Sequence, residues 1–261
     1  MIRNESGVWL SQKKYVLDML MKYGMAECKP ISTPFDQNLK LRIDEGEVLD
    51  DVTMYRRIVG SLIYMTISWQ DLSYAVGLVS QFMQLPRKPH LDAVRRIMRY
   101  VRATLDYALF YDADTQVQVH GYTDSDWVGS VSNRRSTSGY MFSFGSAANT
   151  WSSKKQSTIA LSSTEAEYKG AAIVACEVAW LKMLLRDLEI HVHDPVVIYC
   201  DNISSIQLAR NLVFHARTKH IEVHYHFIRE RILDSDIDLD YVGTEDQAVD
   251  LFTKALCAEK L

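Results

Sequence analysis

The sequence predicts an α/β protein, a mixed β-sheet with helices on its faces, preceded by a mainly α-helical region. Three observations predict it. Up to about residue 112, apolar residues recur at helical spacing between breaks marked by Pro and Gly. Beyond that point the texture changes to short alternating stretches bounded by glycines, which favour antiparallel hairpins. From about residue 164 a long helical period is followed by strand runs joined through helices. The predicted division is a helical region over 1–112 and an α/β domain over 113–261.

Ser11 opens the first helix, with Val16, Leu17, Leu20 and Met21 on one face and Gly24 as its stop. Pro30 and Thr33-Pro34 force an extended connection, and the polar, acidic stretch 37–51 reads as an exposed loop. Three helices follow, at about 54–67, 72–83 and 90–104. Asp71 is placed to cap the second, and Pro86 and Pro89 separate it from the third. The third turns Ala93, Val94, Ile97, Met98 and Val101 to the core. Arg95, Arg96, Arg99 and Arg102 line its other side, either as a solvated face or as a phosphate-tracking one.

Strands are predicted from Gln116 to Thr123 and from Gly139 to Gly145, and Asn149-Thr150-Trp151 with Thr158-Ile159-Ala160-Leu161 suggests more strand before the helix. A long helix runs from about Thr164 to Leu188, with Ser162 and Glu165 at capping-box spacing. The buried strand Val196–Cys200, a short helix near 204–210 and a His- and Arg-rich helix near 219–233 come next. A last strand at 237–242 and a last helix at 245–256 complete the order β-β-β-α-β-α-α-β-α.

The chain has 261 residues, enough for one large or two ordinary domains. Its net charge of −4 supplies no global attraction to nucleic acid, so any such surface is a local patch. Cys28, Cys176, Cys200 and Cys257 have no metal spacing; Cys176 and Cys200 lie in apolar runs and read as core residues of a reducing compartment. No apolar run is long enough to span a bilayer, and the first residues lack the apolar core of a signal peptide. The expected location is therefore cytoplasmic or nuclear, and not secreted.

Four carboxylates stand at the chemically telling places. Asp124 ends the first strand of the α/β part and Asp201 follows the strand after the long helix. If those strands are neighbours, both emerge at one sheet end, where open sheets place ligands. Glu167 in the long helix and Asp250 in the last can point back to that end. Clustered carboxylates repel, and a divalent cation held by oxygen ligands neutralises them. One or two Mg²⁺ ions held this way also contact phosphate oxygens and support phosphodiester hydrolysis. Taken singly, an Asp after a strand is a turn or cap residue, and a Glu near a helix start serves the dipole. Glu165 and Asp126 are read in that structural way.

Longer motifs carry a resemblance. Thr123-Asp124-Ser125-Asp126-Trp127-Val128-Gly129, Arg135–Tyr140, Trp151–Gln156, Ser162–Tyr168, Cys200-Asp201-Asn202, Phe214–Ile221 and Phe252-Thr253-Lys254 resemble the ribonuclease H domain of copia-type (Ty1/copia) retrotransposon Pol polyproteins. Leu10-Ser11-Gln12, Ser32-Thr33-Pro34, Val59–Tyr64 and Arg99-Tyr100-Val101 resemble the C-terminal end of their reverse transcriptase. The resemblance implies a ribonuclease H-like mixed five-stranded sheet over 113–261, after a thumb- or connection-like helical remnant over 1–112. It implies an Asp-Glu-Asp-Asp catalytic and metal set at Asp124, Glu167, Asp201 and Asp250. The family's helix pattern falls on Glu167-Tyr168-Lys169-Gly170-Ala171, which selects Glu167 over Glu165. It further implies Mg²⁺, with Mn²⁺ able to substitute, and cleavage of the RNA strand of an RNA–DNA hybrid recognised by shape and 2′-hydroxyl. The palm and fingers of the reverse transcriptase would be partners, and no polymerase activity is expected, because the paired-aspartate motif is absent.

Ser163, Asn202, Arg217 and Lys219 are the candidate nucleic-acid contacts, with capping and ordinary surface charge as their plainer roles. His215, His220, His224 and His226 cluster, and His220 and His224 have the i, i+4 spacing of zinc ligands. With no cysteine near, a helix face packed against the sheet, with the histidines as partly satisfied polar residues, is the preferred reading. Two other functions stay open: a catalytically silent orphaned fragment that binds nucleic acid or protein, and a different nuclease of the same broad fold.

Overall fold

The computed structural model describes residues 1–116, 118–129, 134–210 and 222–261, without the side chains of 222–225. It has two compact units. One holds Met1–Thr115 and Lys254–Leu261; the other holds Gln116–Ser130 and Arg134–Thr253.

The first unit is mainly helical. Its helices are α1 (Lys13–Lys22), α2 (Val52–Met65), α3 (Ser73–Ser80, entered through a 3-10 turn at Gln70–Leu72) and α4 (Lys88–Ala103). Their shared core includes Leu20, Tyr55, Leu62, Leu72, Ile97 and Met98. On α1 the buried arc is Val16, Met19 and Leu20, while Leu17 and Met21 are exposed. Gly24, at φ +67°, ends this helix as expected. Pro89 lies inside the first turn of α4, where its missing N–H costs nothing, and so does not separate two helices. Asp71 caps no helix. It accepts the Tyr100 hydroxyl, and burial raises its carboxyl above the usual carboxylate range. Three of the four α4 arginines grip the preceding extended segment. Arg96 donates to Thr33 Oγ1 at 2.8 Å, Arg99 to the Lys29 carbonyl at 2.7 Å and Arg102 to the Ala26 carbonyl at 3.0 Å.

This unit also contains an antiparallel sheet that the sequence pattern did not reveal, β1 (Ile2–Asn4), β2 (Gly7–Leu10) and β3 (Leu109–Asp112), in that order. Strands of three and four residues carry almost no period-2 signal. The sheet is made by a long-range pairing that stacks Trp9 on Phe110, with ring centroids 4.4 Å apart.

The second unit holds the expected mixed five-stranded sheet with flanking helices. Its elements are β4 (Val119–Asp126), β5 (Thr137–Phe144), β6 (Ala147–Lys155), α5 (Ser163–Asp187), β7 (Val196–Cys200), α6 (Ile203–Arg210), α7 (Glu222–Leu233), β8 (Ile237–Tyr241) and α8 (Asp250–Thr253). The sheet order is β6-β5-β4-β7-β8. The first three strands pair antiparallel as hairpins, whereas β4–β7 and β7–β8 are parallel. The third strand is β6 alone, and residues 156–162, where Thr158–Leu161 suggested more strand, are loop. The expected last helix is a 3-10 turn at Thr244–Asp246 followed by the single turn of α8.

Helix α5 lies on the sheet because its apolar period holds. Tyr168, Ala171, Val174, Ala175 and Val178 are buried with Phe142 and Ile198. Fully burying a side chain such as Val174 or Ile198 contributes about 1.5–3 kcal/mol. Gly170 permits the close approach: a Cβ there would lie 2.6 Å from Ser125 Oγ. Cys200 is buried, but Cys176 is exposed, because its place on α5 faces away from the sheet. Among the described residues, no helix is long and apolar enough to cross a membrane.

Candidate active site

The parallel pairing of β4 and β7 decides where the site is. Thr123 is level with Cys200, so Asp201, just past the end of β7, comes beside Asp124, which does not end its strand as expected but lies inside β4, still paired with β5 through Asp126. Asp124 is 3% exposed and Asp201 is partly exposed. Glu167, 5% exposed in α5, reaches the same end, where its Oε1 accepts the Ser125 N–H at 3.1 Å. One ligand atom from each of Glu167, Cys200 and Asp201 falls within 4.8 Å of the others.

Asp250, 7% exposed, opens α8. That turn is pinned to the strands at several points. Thr253 donates its hydroxyl to Asp124 Oδ2, Ser153 donates to the Phe252 carbonyl at 2.6 Å, and Gln247 Nε2 donates to the Thr123 carbonyl at 3.0 Å. Gly139, the register partner of Asp124, leaves room for it. A Cβ at 139 would lie 2.8–2.9 Å from Phe252 Cβ, Thr253 Cγ2 and Val249 Cγ1. Thr244, from the neighbouring 3-10 turn, donates to Asp201 Oδ2 at 3.3 Å.

Among the described residues, the grouping of Glu167, Cys200 and Asp201 does not include Asp124 or Asp250; buried carboxylates such as these two and Glu167 are costly unless donors or a cation compensate them. The Ser125 N–H and the hydroxyls of Thr253 and Thr244 do part of this. The chemistry of the set also fits a hard divalent cation. Burial first, and then the Glu167 charge, push the Cys200 thiol up to about 12. It therefore stays a thiol, and the donors left are carboxylate oxygens, the ligands that Mg²⁺ and Mn²⁺ prefer.

No family model matches the chain. The retrovirus-related Pol polyprotein from transposon RE1 of Arabidopsis thaliana is 42% identical over 254 residues, 97% of this chain and 17% of that polyprotein. That from transposon TNT 1-94 of Nicotiana tabacum is 40% identical over 266 residues, covering 99% of this chain and 20% of the polyprotein. The chain belongs to the retrovirus-related Pol polyproteins of transposons. It spans about a fifth of the length of these relatives. Among solved structures, the N-terminal ribonuclease H domain of Rv2228c from Mycobacterium tuberculosis is similar over 53% of this chain and 91% of that chain. The identity is 15% and the TM-score 0.40.

The remaining candidates of this Pol segment separate into two groups. Glu165 serves the start of α5: Ser162 Oγ accepts its N–H at 3.1 Å, its Oε2 accepts the Leu161 N–H at 2.8 Å, and Lys169 pairs with it at 2.7 Å. The Asp126 carboxylate folds over the following turn, so close to Gly129 that a Cβ there would be 1.6 Å from its Oδ2. Asn202 caps α6, accepting the Ser205 N–H at 3.0 Å. Ser163 is exposed on the first turn of α5, and the cap itself is Ser162. Arg217, Lys219, His215 and His220 lie outside the described residues, as does the His224 side chain; His226 is exposed.

Sequence reasoning on this Pol segment passed over Ser125, Thr253, Thr244 and Gln156. Gln156 is buried behind the site and donates to Ser138 Oγ at 2.8 Å and the Ala166 carbonyl at 2.9 Å. Ser138 in turn shares a 2.9 Å hydrogen bond with Ser125. Only Thr253 had a usable signal: it stands at i+3 from Asp250, on the same face of one helical turn.

Proposed function

We propose that the second unit is a ribonuclease H that cuts the RNA strand of RNA–DNA hybrids during retrotransposon reverse transcription. The observation that carries this reading is the convergence of Asp124, Asp201 and Glu167 at one end of the β4–β7 pair, with α8 fastening Asp250 to the same end through Thr253. These four residues would hold the divalent cation, Mg²⁺ with Mn²⁺ as substitute. When bound, that cation supplies Lewis-acid chemistry, lowering the pKa of a water and offsetting charge on the phosphate.

The chain's own groups set the frame for that chemistry. The Ser125 N–H fixes the Glu167 carboxylate, Thr253 fixes Asp124 and Thr244 fixes Asp201. In the reaction, water adds to phosphorus and the P–O3′ bond breaks. The leaving oxygen takes a proton, which gives a 3′-hydroxyl and a 5′-phosphate. Ser163 and Asn202 flank the carboxylates and are proposed to meet the hybrid, together with Arg217 and Lys219. The palm and fingers of the reverse transcriptase are the proposed protein partners.

A panel of RNA–DNA hybrid, RNA duplex and DNA duplex tests this reading. Cutting confined to the RNA strand of the hybrid is expected. Cleavage of the DNA duplex would favour another nuclease of this broad fold, and binding of hybrid without turnover would favour a silent binding module.

A further inference from the structure

Asp124 and Asp250 come from opposite ends of the second unit, 126 positions apart, and one side chain sits between their elements. Thr253 is 0% exposed and closes the single turn that Asp250 opens. Its hydroxyl has two acceptors in reach, Asp124 Oδ2 and, at 3.3 Å, the Asp250 carbonyl. A carboxylate is the stronger acceptor, so the one proton goes to Asp124. That bond occupies one Asp124 oxygen and fixes the plane of the carboxylate. The turn itself cannot drift, because the Phe252 carbonyl is held by Ser153 and Val249 and Phe252 are fully buried over Gly139.

We propose that Thr253 is a positioning residue, whose hydroxyl orients Asp124 so that it and Asp250 hold the cation together. This rests on the ribonuclease H reading above. It goes further by naming a residue outside the four carboxylates that sets cation affinity. Removal of hydrogen-bonded partners behind metal ligands typically costs 10–100-fold in affinity.

The test uses the full chain and three variants: Thr253→Val, which keeps shape and loses the hydroxyl, Thr253→Ser, which keeps the hydroxyl, and Asp124→Asn. Mn²⁺ binding is followed by electron paramagnetic resonance in the absence of nucleic acid, and hybrid cleavage is measured beside it. The expected result is a Kd for Mn²⁺ at least about tenfold weaker in Thr253→Val, near wild type in Thr253→Ser and lost in Asp124→Asn. The KM for hybrid should stay unchanged in both Thr253 variants. Should Val fail to fold at 253, Thr253→Ala against Thr253→Ser makes the same comparison. Equal Mn²⁺ affinity in wild type and Thr253→Val, or equal losses in Val and Ser, overturns the positioning role while leaving the nuclease reading intact. Wild-type chain that neither binds Mn²⁺ nor cuts hybrid overturns both.

Discussion

The backbone N–H of Ser125 donates to Oε1 of Glu167 at 3.1 Å, which ties the second turn of α5 to the strand that carries Asp124. Two residues earlier, Glu165 is spent on Leu161 and Lys169. The two glutamates should therefore respond differently. Glu167→Gln keeps the acceptor for Ser125 but removes a charge from the site. Cleavage should fall by about a hundredfold or more, since several kcal/mol of charge stabilisation is lost. Glu165→Gln should retain cleavage within a few-fold and lower stability by about 1 kcal/mol. Single-turnover rates and urea denaturation of both variants check this.

Gly139 is a matter of space. With three atoms of the Val249–Thr253 segment less than 3 Å from a Cβ at 139, Gly139→Ala must push α8 off β5. The expected loss is about 1–3 kcal/mol of stability in the second unit. Cation affinity should weaken in parallel, because Asp250 and Thr253 move with the turn. Urea denaturation and Mn²⁺ titration of the same sample read both.

The arginines of α4 bear on stability rather than on substrate. Arg99→Ala and Arg102→Ala remove bonds to the Lys29 and Ala26 carbonyls and should each destabilise the first unit by about 1 kcal/mol. A phosphate-tracking role would instead flatten the salt dependence of hybrid binding by about one counterion for each arginine removed. Binding isotherms at several salt concentrations should show the same slope as wild type.

The thiols give a pH-dependent contrast. An unfolded cysteine ionises near 9, whereas folded Cys200 holds its proton to about 12. Its contribution to stability is thus complete below about pH 9 and is lost as pH rises towards 12. Cys200→Ala should make the stability profile shallower between about pH 9 and 12, leaving the slope that buried tyrosines such as Tyr140 contribute. At pH 8 a thiol reagent should label exposed Cys176 in the native chain and reach Cys200 only after unfolding. Mass mapping of labelled peptides shows which.

Much of this was legible before the structure. The α5 period and the Val196–Cys200 run were readable, and the β4–β7 register brings Asp124 and Asp201 to one sheet end, although β4 continues two residues past Asp124 because β5 still pairs with it there. What escaped depended on distant partners. The sheet β1-β2-β3 joins residues about a hundred positions apart. Asp71 looked like a cap because its buried partner, Tyr100, is 29 positions away. Thr158–Leu161 has apolar residues at strand spacing, but its backbone is drawn to side chains instead. Trp127 donates to the Ala160 carbonyl at 3.0 Å and Glu165 accepts from Leu161. The i+3 spacing of Thr253 from Asp250 could be read in the sequence, but its bond to Asp124, 129 positions away, could not.

The most direct test of the account is cleavage of an end-labelled RNA–DNA hybrid by the folded full chain in Mg²⁺, beside samples with EDTA and with Asp201→Asn. The account predicts cutting of the RNA strand alone, absent in both controls. Undiminished cutting by Asp201→Asn, or none by the folded wild-type chain, would contradict it.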